Sequence, residues 1–147
     1  MEGLHYLLMK SHAMFSRNVL TETGRMGLSS GQPKVLDFLL QYGEADQKTI
    51  AAYCEIEQTT VGSILLRMEN AGLILRRQKD GNRRSLYVSL TETGREKAEQ
   101  VMDIFRNIET EASASLSAQE RETLKRLLSK VCAALQESGR RCAYGQK

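Results

Sequence analysis

The sequence predicts a mainly α chain carrying one small β-hairpin, and three observations support that class. Apolar residues recur at helical spacing along most of the chain, as in Leu124, Leu127, Leu128, Val131 and Leu135. One stretch departs from that period. Ser85-Leu86-Tyr87-Val88-Ser89-Leu90 alternates polar and apolar residues, the pattern of a half-buried strand, and follows an Asp80-Gly81-Asn82 turn signal. Glycines and capping residues fall between the periodic segments. With 147 residues, 41% of them hydrophobic, the chain suffices for one ordinary domain, or for a small one carrying extra helices that need a partner.

The elements follow in order. A first helix is expected over residues 3–20, with Leu4, Leu8, Phe15 and Val19 on one side. A second starts near Ser29, where Ser29 and Gln32 have capping-box spacing and Pro33 falls in the first turn, and stops near Gly43. A short third helix spans about 47–54, burying Ile50 and Ala51. After a turn at 55–57 a fourth helix covers 58–71 and ends at Gly72. Two strands, 74–78 and 85–90, flank the Asp80-Gly81-Asn82 tip, whose residues tolerate positive φ. The last two helices are expected over 91–112 and 117–137, the latter opened by a Ser117/Glu120 capping box, and a basic tail follows.

LTETGR occurs twice, at 20–25 and 90–95, without a longer repeat around it. The first copy follows a helix and leads into Gly24 and Gly27, which end helices. The second joins a strand to a helix, with Thr91 placed as cap. Helix, helix, turn, helix, hairpin is the order of a winged helix-turn-helix.

Charge points to a partner. The total of 21 basic and 18 acidic residues is a modest +3, but residues 76–84 read RRQKDGNRR, five cations against Asp80. Such a cluster on a turn is what a polyanion meets first. No apolar run nears the roughly 20 residues that a membrane helix requires, so no membrane partner and a cytoplasmic location are expected. Cys54, Cys132 and Cys142 lack the spacing of a metal site, and both histidines, His5 and His12, fall in the first helix. No metal, cofactor or catalytic residue is expected, since nucleophile and phosphate-loop motifs are absent.

On the fourth helix, Val61, Ile64, Leu65 and Met68 share the face expected to pack inward. The opposite side carries Thr59, Ser63 and Asn70, flanked by Thr60, Gly62 and Arg67. Small hydroxyl residues and a glycine let a helix sit deep in a major groove about 12 Å wide. Arg83 and Arg84 near the hairpin tip suit a narrow, electronegative minor groove, and Gln47 and Lys48 open a helix whose terminal amides can hold a phosphate.

Residues 60–76, TVGSILLRMENAGLILR, followed by KDGNRRSLYVSLTETG, resemble the MarR family of bacterial transcription regulators. LSSGQPKVLDFL at 28–39, QKTIAAYCEI at 47–56 and the closing helices extend the likeness over nearly the whole chain. The resemblance implies an effector-responsive repressor that binds double-stranded DNA at a palindromic operator as a homodimer. It implies a DNA-binding lobe over 29–91, a dimerisation region from 1–24 and 92–138, and a basic tail over 139–147. The apolar stripes of the first and last helices, which a small winged domain does not cover, give the dimer a physical basis. Two positions depart from the family pattern. Asn82 stands where an acidic residue commonly precedes the wing arginine, leaving either Arg83 or Arg84 for the groove, and Leu66 stands where a polar residue is frequent.

Many family members hold an effector between the dimer region and the DNA-binding lobe. Here a cleft among the first, second and fifth helices is expected to be lined by His12, Phe15, Phe38, Tyr42 and Phe105, suited to a small aromatic or phenolic ligand. Two other functions compete. A thiol-based redox sensor of the same fold needs a reactive cysteine, which peroxide-sensing relatives carry near the start of the first helix, where this chain has none. A winged-helix module for protein contacts would use the basic hairpin without nucleic acid.

Overall fold

The computed structural model describes residues 1–79 and 82–144, and the side chains of 82–85 and 140–144 lie outside the described residues. Two compact units divide the chain, Met1–Glu109 and Thr110–Lys147. In the first unit, helix α1 spans Leu4–Gly24, four residues past its expected end, so the first LTETG is the last turn of a helix. The buried Thr23 hydroxyl donates to the Val19 carbonyl at 2.8 Å, and the chain then turns through Gly27 at φ 81°.

Helix α2 covers Gln32–Tyr42 and starts later than the expected Ser29. The Gln32 side chain does accept from the Ser29 amide at 3.2 Å, half of a capping box. Gly31, at φ 87°, holds a left-handed turn that no helix can include, and this sets the later start. Strand β1, Ala45–Asp46, comes next, an element that two residues are too few to announce by alternation. Helix α3 is Gln47–Cys54, as expected, and helix α4 is Gln58–Asn70, closed by Gly72 at φ 76°.

Strands β2, Ile74–Lys79, and β3, Asn82–Leu90, form the hairpin, and β1 joins it as an edge, giving an antiparallel sheet in the order β1-β3-β2. The sheet thus exceeds the expected hairpin by one strand. β3 also begins at Asn82, so Asn82, Arg83 and Arg84 have strand backbone instead of forming the tip, while Asp80 and Gly81 lie outside the described residues.

Helix α5 runs over Glu92–Ala112. The core gathers Leu36 from α2, Ile50 from α3, Leu65 and Met68 from α4, Ile74 and Val88 from the sheet and Val101 from α5. Leu36, Ile50, Leu65 and Met68 are almost fully buried, and each such side chain stabilises the lobe by about 1.5–3 kcal/mol.

The second unit holds helix α6, Ala118–Tyr144, opened by the expected capping box: Glu120 accepts from the Ser117 amide at 2.7 Å, and the Ser117 hydroxyl accepts from the Glu120 amide at 3.1 Å. The helix passes its expected end near Glu137, so helical backbone continues into what reads in the sequence as a tail. Leu124, Leu127, Leu128 and Leu135 are all exposed along it. Among the described residues no helix is long and apolar enough to cross a membrane.

Candidate nucleic-acid interface

Helix α4 divides as its sequence predicts. Val61, Ile64, Leu65 and Met68 are buried against the lobe, whereas Thr59, Thr60, Ser63, Leu66, Arg67 and Asn70 are exposed together. A helix anchored by four core residues offers a fixed outer surface, which recognition of base edges requires. Gly62 serves the anchoring side: a Cβ there would stand 3.1 Å from Nε2 of Gln47. That amide in turn donates to the Gln58 carbonyl at 2.9 Å, tying the start of α3 to the start of α4.

The expected phosphate clamp is therefore partly occupied from within. Gln47 is half-buried and bonded to Gln58, while Asp46 caps α3 by accepting from the Thr49 amide at 2.8 Å. Hydrogen bonds from Thr49 hold the Asp46 carboxyl below its ordinary pKa, so the positive end of α3 already faces an anion. Lys48 is exposed and remains turned to solvent.

Three of the five cations in RRQKDGNRR are held by acids that a local reading of the sequence passes over. Arg76 forms a bidentate pair with Glu69 at the end of α4, at 3.1 and 3.2 Å, joining β2 to that helix. Arg77 reaches Oε2 of Glu44 at 2.8 Å and Lys79 reaches Oε1 at 3.2 Å. Lys79 also lies 4.3 Å from the centre of the Tyr87 ring. These pairs brace the base of the wing. The side chains of Asn82, Arg83 and Arg84 lie outside the described residues.

The expected effector residues divide between two cavities. Phe15 and Phe105 line a cleft of about 390 Å3 among α1, α2 and α5, with Asp37, Gln41, Met102, Arg106 and Glu109. Phe38 and Tyr42 line a different cavity, beside Tyr53. Helical geometry explains the division: at about 100° per residue, Asp37 and Gln41 share one face of α2, and Phe38 and Tyr42 share the next. His12 is exposed and lines neither cavity. The i,i+4 spacing of Asp37 and Gln41 is the signal that would have found the cleft's polar residues; Gln41 donates to Asp37 at 2.9 Å.

Burial pushes the Cys54 thiol up to about 11, away from the thiolate that redox sensing uses, while Cys132 is exposed. The side chain of Cys142 lies outside the described residues.

Comparison with known proteins agrees with this arrangement. The sequence profile of the MarR family matches residues 28–86. The chain is 33% identical over 101 residues to the HTH-type transcriptional regulator YwoH of Bacillus subtilis, covering 69% of this chain and 73% of that protein. It is 26% identical over 128 residues to the HTH-type transcriptional repressor Rv2887 of Mycobacterium tuberculosis, covering 87% and 92% respectively. Its fold is similar to that of S. aureus MepR in a DNA complex, with a TM-score of 0.81, 23% identity, and coverage of 91% of this chain and 99% of that one. With the exposed α4 face, the braced wing and this likeness together, the chain belongs to the MarR family of winged-helix transcriptional regulators.

Proposed function

We propose that this regulator is a homodimeric, effector-responsive cytoplasmic repressor that binds a palindromic operator in double-stranded DNA. The observation that carries the reading is the exposed row Thr59, Thr60, Ser63 and Arg67 on a helix whose opposite face is locked in the core. That surface enters the major groove, with hydroxyls reaching base edges or phosphates and Arg67 reaching guanine or phosphate. Gly62 keeps the helix close to Gln47, Lys48 contacts the backbone, and Asn82 orients Arg83 or Arg84 into the adjacent minor groove. The name of the mycobacterial relative favours repression.

Self-association rests on apolar surface. Leu4, Leu7 and Met14 on α1 and Leu124, Leu127, Leu128 and Leu135 on α6 are all exposed in one chain, and a two-fold partner would bury them within the region formed by 1–24 and 92–138. Two recognition helices then read half-sites about 10 bp apart. The cleft of Phe15, Phe105 and Met102 takes a small aromatic or phenolic effector, with the Asp37 carboxylate placed to accept from a phenolic hydroxyl. Selection of bound sequences from random duplex DNA with the purified protein tests the reading. A palindromic consensus is expected; recovery of no consensus would refute it.

A further inference from the structure

Leu66 is the one large apolar side chain on the outer face of α4, and it is 49% exposed. At about 100° per residue it falls within about 60° of Thr59, Ser63 and Asn70, so it stands inside the polar row. Leu65 and Met68 beside it are fully buried, which fixes the backbone that carries it.

A leucine on a helix leans toward the N-terminus and covers the turn before its own, here the turn of Gly62 and Ser63. Gly62 has no side chain, and the Ser63 hydroxyl donates back to the Thr59 carbonyl at 3.4 Å. The residues beneath Leu66 are thus short, and its isobutyl group extends past them. Toward the hairpin, the base of the wing is closed by the Glu69–Arg76 pair, so Leu66 is not spent in packing there.

An isobutyl group neither donates nor accepts a hydrogen bond, so it cannot read the nitrogen and oxygen atoms of a base edge. Against a phosphate it would remove water from a charge and give nothing back. Among the groups that base pairs present in the major groove, one is apolar: the C5-methyl of thymine. Contact between that methyl and Leu66 takes both out of water, while Thr59, Ser63 and Asn70 around it serve polar neighbours.

With the exposed face of α4 in the major groove, the reading on which this rests, we propose that Leu66 is a specificity-determining residue that packs on the C5-methyl of a thymine and so fixes that base at the position it faces. The contact selects thymine without a hydrogen bond, by a group that uracil lacks.

The duplex recovered by selection from random DNA is the probe, with each thymine replaced in turn by deoxyuridine, which lacks the methyl and keeps every hydrogen-bonding atom. At one position per half-site the full chain is expected to bind the uracil duplex about 4-fold more weakly, the effect of one buried methyl group, and about 15-fold more weakly when both half-sites are changed. Leu66→Ala should bind the thymine and uracil duplexes alike. Leu66→Met, which keeps an apolar side chain of similar volume, should retain most of the preference. Arg67→Ala should weaken both duplexes and leave the preference in place. Uracil duplexes bound as tightly as the thymine duplex at every position, or a preference undiminished in Leu66→Ala, would overturn the proposal and leave the groove reading of α4 standing. A selection that yields no consensus, or binding indifferent to Leu66→Ala and Arg67→Ala alike, would overturn both.

Discussion

The carbonyl oxygen of Leu73 fills the space that a side chain on Gly94 would need: a Cβ built there stands 1.8 Å from that oxygen. Thr91 closes the same junction. Its hydroxyl donates to the Gly72 carbonyl at 2.6 Å and accepts from the Gly94 amide at 2.9 Å, while its own amide donates to the Leu73 carbonyl at 3.1 Å. The end of α4, the start of β2 and the start of α5 therefore meet through one threonine and one glycine.

Gly94→Ala is expected to destabilise the protein by about 3 kcal/mol, since backbone on both sides must move. Gly24, in the first copy of the motif, has no atom within 4 Å of its Cβ position. Gly24→Ala should be neutral or stabilising, by up to about 1 kcal/mol. Urea unfolding midpoints of the two variants check this, and equal losses would show that the two copies share one role.

Arg67→Ala should weaken operator binding by about 1–3 kcal/mol, or roughly 5- to 150-fold, with the greatest loss at one base position. Arg83→Ala or Arg84→Ala should lower the slope of log affinity against log salt by about 1 where the side chain neutralises a phosphate. Fluorescence anisotropy over a salt series separates the two effects. A salt-independent slope for the parent chain would instead favour a protein-contact module.

The Glu69–Arg76 pair makes stability depend on pH. The Arg76 hydrogen bonds hold the folded carboxyl of Glu69 below its ordinary value of 4.5. A depressed folded pKa contributes stability that is complete above the unfolded value and is lost as pH falls through the folded one. Glu69→Gln should therefore melt below the parent chain at pH 7, and the difference should shrink as pH drops beneath about 4.5. Thermal melts by circular dichroism decide it; a gap constant with pH would sink the assignment.

Leu127→Glu or Leu128→Glu places a charge on an exposed apolar row of α6. Such a charge disfavours burial in a subunit interface, so light scattering should show a shift toward single subunits, with operator affinity down by at least about tenfold. An unchanged mass would remove α6 from the dimer contact.

Periodicity and punctuation made most of the elements legible. The inward face of α4, the α3 boundaries, the Ser117/Glu120 box and Thr91 as the cap of α5 all follow from residues within a turn or two of each other, because helix formation and capping are local. The same locality set the limits. Glu44 and Arg77 are 33 positions apart, and β1 shows itself only by pairing Ala45 with Val88 and Asp46 with Tyr87. The later start of α2 also depends on packing, since a Cβ on Gly31 would lie 2.5 Å from Cδ1 of Ile64.

Residue order alone assigns side chains to the faces of each helix, for that is arithmetic at about 100° per residue. Which faces come together was decided by the tertiary structure alone. It set Phe15 and Phe105 on one cavity and Phe38 and Tyr42 on another, left His12 on neither, and matched three wing cations to two glutamates on other segments. Apolar burial is non-directional and specifies a core without naming its pairs, whereas cavities and ion pairs exist only once separate segments are fixed within a few ångströms of each other.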